Sequence, residues 1–214
     1  MEKEDLTKIN QEKYHYYMFN KPIGCVTART DERYPTVMDY FKELGNENLS
    51  PVGRLDLETE GLLIITDDGK WNQLMTRPEH KKEKCYEFYA LGEITEELRQ
   101  QLECGVKVIG SDKLTAPAKL NLTEFTVLKE VLPLLPEMLQ EKHRHNRPCH
   151  IVTKGTITIT EGRKRQIRRM MKAVGCLVLY LKRISMGDIV LDLGLKPGEW
   201  KEIEVIGHEW EDIE

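Results

Sequence analysis

Gly53-Arg54-Leu55-Asp56-Leu57-Glu58-Thr59-Glu60-Gly61-Leu62-Leu63-Ile64-Ile65-Thr66-Asp67-Asp68-Gly69 is the stretch around which the chain is organised. Leu62 to Ile65 is a short apolar, partly β-branched run closed by Asp68-Gly69. That pattern predicts a buried strand entered from a polar loop. The loop carries one arginine, one aspartate and two glutamates, which on charge alone describe a solvated turn.

Working outward, Tyr14 to Phe19 is aromatic-rich and predicts a strand, broken by the turn Asn20-Lys21-Pro22-Ile23-Gly24. Thr36 is placed to cap a helix from Val37 to Leu44, with Gly45 as its stop. Trp71 to Thr76 predicts a short helix ended by Arg77-Pro78. Lys84 to Leu91 predicts a strand whose positions 86, 88 and 90 share a face. Glu96 to Gly105 predicts a helix with Leu98 and Leu102 inward, and Gly105 to Ile109 and Ala118 to Leu122 are weaker strand candidates. Residues 129 to 150, with Pro133, Pro136 and Pro148 among polar residues, read as a loop or insertion. Thr156 to Thr160 alternates strictly, and Gly162 is expected to turn the chain sharply into a helix ending near Gly175. On that helix Ile167, Met170, Met171 and Val174 form one stripe and Arg165, Arg168, Arg169 and Lys172 the opposite one. Leu177 to Leu181 and Trp200 to Ile206 complete the strands. Strands without regular βα alternation predict an α+β fold with a mixed, largely antiparallel sheet in two lobes flanked by helices.

The composition is that of a globular protein, with 40% hydrophobic and 32% charged residues. No apolar run approaches membrane-spanning length and the first residues lack a signal-peptide pattern, so a cytoplasmic protein with no membrane partner is expected. Five scattered cysteines are expected to be free thiols. His143, His145, Cys149 and His150 match no common zinc spacing and read as surface loop residues. The net charge of -4 conceals an uneven distribution, because Gly162 to Arg183 holds eight Lys or Arg and no acid. A local positive patch of this kind is a footprint for a polyanion.

Four motifs, in order, carry a resemblance to a known family. Gly53-Arg54-Leu55-Asp56, Thr59-x-Gly61-Leu62-Leu63 and the strand ending in Asp67-Asp68-Gly69 resemble the active-site motif of pseudouridine synthases of the RsuA-type branch, which modify ribosomal RNA. Asn20-Lys21-Pro22-x-Gly24 resembles the first motif of that family and Lys84-x-Tyr86 its second. Glu161-Gly162-Arg163-Lys164-Arg165-Gln166-Ile167-Arg168-Arg169-Met170 resembles the third. The resemblance covers the chain from Tyr14 to Ile206 and implies a catalytic domain over 14–208 between tails at 1–13 and 209–214. It implies a synthase fold with a central active-site cleft.

The resemblance further implies that Asp56 is the nucleophile, that the Tyr86 ring stacks on uracil, that Arg168 pairs with the catalytic carboxylate and that Ile167 lies under the base. A carboxylate of this kind adds to uracil C6, or acts at C1′, and releases again without cofactor or metal. Arg54 is expected either to fill the space left by a flipped base or to bridge Glu58 or Glu60. Lys21, Lys84, Arg165, Arg169 and Lys172 are expected to meet uridine or RNA. Two departures stand out: a separate basic RNA-binding module before Tyr14 is not expected, and Lys201 replaces the usual arginine after Pro197-Gly198-x-Trp200. The expected protein is a monomeric isomerase of one uridine in ribosomal RNA, met as RNA or in a ribosomal-subunit intermediate. Its rivals are an inactive RNA-binding protein of the same fold, and a retaining glycoside hydrolase using Asp56 and Glu58, which leaves the basic helix unexplained.

Overall fold

Residues 14–205 are described by the structure, a computed structural model. Their strands are β1 (Tyr16–Lys21), β2 (Ser50–Pro51), β3 (Glu60–Thr66), β4 (Lys84–Leu91), β5 (Lys119–Val127), β6 (Ile151–Ile159), β7 (Leu177–Met186), β8 (Ile189–Val190) and β9 (Trp200–Glu202). They form one sheet in the order β5-β6-β4-β7-β3-β1-β9, with β2 beside β3 and β8 beside β7. Every pairing is antiparallel except β3 with β7, which joins the two antiparallel blocks through Glu60↔Lys182 and Gly61↔Arg183. The expected mixed, largely antiparallel α+β architecture is therefore the observed one.

β3 is buried at every position because both its faces are covered. Leu63 and Ile65 join Phe19, Phe41, Phe88, Met170 and Met171 in the main core, whereas Leu62 and Ile64 join Met18, Trp71 and Met75 on the other face. At Gly61, with φ 108°, a Cβ would lie 2.3 Å from the carbonyl oxygen of Arg183, so only glycine permits the parallel seam to close. β4 buries Tyr86, Phe88 and Ala90 on one face, as its alternation predicts.

The helices are α1 (Gly69–Thr76), α2 (Glu96–Cys104), α3 (Leu128–Val131), α4 (Glu137–His143) and α5 (Gln166–Ala173). Val37–Leu44 is helical as expected but of the tighter 3-10 kind. The Asp39 carboxylate accepts from the Thr36 amide at 2.6 Å, and Gly45 ends the helix in a left-handed conformation. Among the described residues no helix is long and apolar enough to cross a membrane.

Five expectations are corrected. Residues 129–150 are not simply a loop: α3, a 3-10 turn at Leu132–Leu134 and α4 occupy the stretch up to His143, and Leu128, Val131, Leu135 and Leu139 pack against Leu179 and Tyr180. His143, at the end of α4, is buried, while His145, Cys149 and His150 are exposed. The sharp turn before α5 is made by Arg165, at φ 53°, and not by Gly162. Of the weaker strand candidates, 118–122 falls largely within β5, whereas 105–109 contributes only an isolated bridge from Lys107 to Leu114. The terminal strand is shorter than expected, and its predicted end at Ile206 lies, with both predicted tails, outside the described residues.

Candidate active site

The loop from Gly53 to Thr59 crosses the seam end of the sheet, and its backbone is held carbonyl by carbonyl. The Thr27 hydroxyl donates to the Leu55 carbonyl at 2.9 Å, and the Gly24 amide to that of Leu57 at 2.9 Å. Arg168 donates to the Glu58 carbonyl at 2.8 Å, Lys21 to that of Thr59 at 2.9 Å, and the Thr59 amide to that of Asp56 at 3.0 Å. Five consecutive carbonyls are thus fixed by donors from residues 21–27, from Arg168 and from the loop itself, the arrangement that preorganises a side chain carried between them. That side chain is Asp56, about a third exposed, in a cavity of about 700 Å³.

Tyr86, Ile159, Ile167 and Leu181 give the cavity an apolar side, and Arg54, Lys84, Arg165, Arg168 and Arg183 a cationic one. Tyr86 and Ile167 are almost wholly buried but contribute to the wall, as base-facing groups need to. Arg54 is exposed at the rim and makes no ion pair among the described residues, so the bridge to Glu58 or Glu60 considered from sequence is not formed. Burial pushes the Lys84 ammonium below its ordinary pKa, and the charge of Arg183 adds to this.

The expected pair of Arg168 with Asp56 is replaced by a network centred on Glu58. Arg168 lies 3.7 Å from the Glu58 carboxylate and also donates to the Val178 carbonyl at 3.2 Å. Arg165 stands between the two acids, 4.0 Å from Asp56 and 3.8 Å from Glu58. Its left-handed backbone aims the side chain back over the loop. Lys142 of α4 completes the set at 2.5 Å from Glu58. Burial works to raise the Glu58 pKa, but the Lys142 hydrogen bond and the charges of Arg168, Lys142 and Arg165 outweigh it and hold the carboxyl below its usual range. Burial lowers the Arg168 pKa, against the opposing pull of Glu58 and Asp56.

Three of the expected RNA-facing cations do not line the cavity. Lys21 is fully buried and bonded to the carbonyls of Pro22 and Thr59, so it supports the loop from beneath. Arg169 donates to the Ile109 carbonyl, away from the cavity, and Lys172 is exposed but does not line it. Within the third motif, Glu161 accepts from Gln166 at 2.7 Å, Arg163 at 3.0 Å and the Ala116 amide at 2.8 Å, so these residues build the turn that delivers Arg165. Sequence reasoning missed Lys142 and the buried Arg183, whose Nε donates to the Leu62 carbonyl at 2.7 Å. No local pattern marks either residue, since both depend on contacts far along the chain.

Among the described residues no group of His, Cys, Asp and Glu is arranged to hold a metal ion. The sequence pattern of the family described as RNA pseudouridylate synthase matches residues 15–173. The Ribosomal small subunit pseudouridine synthase A of Yersinia pestis is 35% identical over 186 residues, 87% of this chain and 68% of that protein. The RNA pseudouridine synthase YtzG of Bacillus subtilis is 36% identical over 197 residues, 91% and 72% of the two chains. A pseudouridylate synthase known from its crystal structure superposes with a TM-score of 0.72 and 31% identity, covering 90% of this chain and 71% of that one. A carboxylate-bearing loop over an apolar cavity, on this sheet and with these relatives, leaves one conclusion: the chain belongs to the RNA pseudouridylate synthase family and is an isomerase of that kind.

Proposed function

We propose that the protein converts one uridine of ribosomal RNA to pseudouridine, with Asp56 as nucleophile on a base turned out of its stack. The observation that carries this reading is the position of Asp56, a carboxylate about a third exposed on a loop with five anchored carbonyls, sharing a cavity with Tyr86 and Ile167. Ribosomal RNA as substrate is supported by the name of the Yersinia relative.

The isomerisation breaks the bond from C1′ to N1 and forms one from C1′ to C5, while a proton leaves C5 and one arrives at N1. Nothing is oxidised and no group is lost, so a carboxylate that adds, at C6 or at C1′, and departs again is sufficient. Tyr86 and Ile167 offer the uracil an aromatic contact and an apolar seat, and stacking of a base on an aromatic ring contributes about 1–3 kcal/mol. Unstacking the nucleotide costs a few kcal/mol, which backbone contacts to cations offset. Arg165 keeps a cation beside Asp56, and Glu58 fixes Arg168 behind it.

The test is incubation with ribosomal RNA followed by carbodiimide treatment and primer extension. One new stop is expected with the native protein, and none with Asp56→Asn, whose RNA affinity stays within a few-fold. Binding without any stop would support an inactive RNA-binding protein instead. Turnover by Asp56→Asn close to that of the native enzyme would remove Asp56 from its role.

A further inference from the structure

The basic run from Arg163 to Lys172 is largely consumed inside the protein. Arg163 bonds to Glu161 and to the carbonyls of Lys113 and Leu114. Arg168 is committed to Glu58 and Val178, and Arg169 to Ile109. Only Lys164, Arg165 and Lys172 remain exposed, and Arg165 is turned toward two carboxylates. The motif with the highest density of charge therefore leaves few cations for an RNA backbone.

A segment beside the loop of Asp56, outside the cavity itself, supplies them. Lys142 to His150 contains three Lys or Arg, three His and no acid. Of these, Lys142, Arg144, His145, Arg147 and His150 are exposed. Arg147 makes no ion pair among the described residues, and Arg144 meets Glu141 at 3.2 Å and the exposed His145 ring at 3.3 Å, with all these partners well in solvent. An exposed pair of that kind contributes little and is readily exchanged for a phosphate.

Two features distinguish this from an ordinary solvated loop. It is held in shape: the Leu128 amide donates to the His150 carbonyl at 2.9 Å and the Lys129 amide to that of Pro148 at 3.0 Å, above the packed side chains of α3 and α4. It also adjoins the site, because Lys142 at its start touches Glu58, two residues from Asp56. A prefixed cationic ledge beside a cleft positions a polyanion at lower entropic cost than a mobile tail does.

We infer that the segment from Lys142 to His150 is a second RNA-binding wall, which grips phosphates flanking the target nucleotide through Arg144 and Arg147. This rests on RNA being the substrate. Phosphate contacts of this type carry no base preference, so the wall sets affinity and register and leaves the choice of uridine to the cleft.

The test is a salt titration of binding to a transcript of small-subunit ribosomal RNA and to an unrelated transcript of equal length. It compares the native chain, the double variant Arg144→Gln/Arg147→Gln, and Lys119→Gln on the distant β5 edge, where Lys119 is paired with Glu83. The double variant is expected to weaken binding to both RNAs and to reduce the slope of log K against log salt by about 1.4, at about 0.7 per phosphate contact on single strands. Lys119→Gln should leave the slope as it is. A double variant with the native slope, while the native enzyme forms pseudouridine, would overturn the wall and leave the proposed function standing. A reduced slope with no pseudouridine formed by the native enzyme would do the reverse. Thermal melting of the double variant, expected to match the native protein, excludes loss of fold as the cause.

Discussion

The ammonium of Lys142 lies 2.5 Å from the carboxylate of Glu58, a residue 84 positions earlier in the chain. This contact fastens α4 to the loop that carries Asp56. Glu58 gathers three cations and returns one of them, Arg168, to its own backbone carbonyl. It is therefore the hub from which the orientation of the cationic groups is set.

Removing the hub charge is expected to change stability with a defined pH dependence. Since the Glu58 pKa is lowered on folding, the stability contributed by its ionised form is fully present above the ordinary glutamate range, near about 4.3, and is lost as pH falls through the lower folded value. Urea unfolding of native protein and Glu58→Gln should differ at pH 7 and converge near pH 3. In a double-mutant cycle with Lys142→Met, coupling of about 0.5–1 kcal/mol is expected, because the half-exposed lysine is screened by solvent. A constant difference across pH would mean that the glutamine fails for reasons of shape.

Arg168 holds two backbone carbonyls as well as Glu58, so its replacement should affect folding and catalysis together. Arg168→Met is expected to lower the melting temperature by several degrees and to remove most turnover, since it leaves a half-buried carboxylate short of a partner. Arg168→Lys should restore part of the stability and little of the rate, because an ammonium cannot serve Glu58 and Val178 in the same fork. Full activity in the lysine variant would reduce the role of Arg168 to charge.

Lys21 carries the same sign of pH dependence in an alkaline window. Burial lowers its pKa to about 8, with the charges of Cys25, Asp56 and Glu60 opposing. Between about pH 8 and the ordinary lysine value near 10.4, the unfolded chain binds a proton that the folded chain does not, so this residue makes stability rise with pH. Relative to Lys21→Met, the native protein should gain stability over that interval. Chemical denaturation at pH 7.5 and pH 10 measures the gain, and a difference independent of pH would show that the ammonium stays protonated under the loop.

Two glycines should respond in contrary ways to the same substitution. Gly61→Ala places a Cβ 2.3 Å from the Arg183 carbonyl oxygen at a positive φ, and a cost above about 4 kcal/mol, seen as insoluble or unfolded protein, is expected. Gly162→Ala meets nothing within 4 Å and does not need a positive φ, so its melting temperature should be that of the native protein. A folded Gly61→Ala would require the seam between β3 and β7 to have shifted.

Local pattern revealed what local physics decides. The uninterrupted apolar run of β3, the alternation of β4 and the two-sided helix α5 were all legible, because a strand or helix must bury one face. The cavity members Asp56, Tyr86, Ile167 and Arg168 were legible from their motifs. What escaped was set by contacts distant in sequence. Arg168 lies on the polar stripe of α5 and yet is only 13% exposed, because the loop from Gly53 to Thr59 folds over it. Lys21 reads as a surface lysine beside a proline, but the same loop covers it. Prolines at 133, 136 and 148 suggested an unstructured loop, whereas α4 fits between the last two and Pro133 sits in the first turn of a 3-10 helix, where a missing amide costs nothing.

The parallel seam of β3 and β7 also governs when the site comes into existence. Asp56 precedes β3 and Tyr86 lies in β4, so both leave the ribosome early during synthesis. Yet, among the described strands, β4 is tied to β3 only through β7, which begins some 86 residues after β4 ends. β9, which closes the sheet on β1 by pairing Trp200 with Phe19, follows later still. A pairing between residues so far apart in sequence is slow to form and comes after local structure. The nascent chain therefore carries every acidic and aromatic group of the cleft without having the cleft. The cleft cannot assemble before β7 is made, and a translation product arrested before Leu177 lacks the strand that joins Tyr86 to the loop of Asp56.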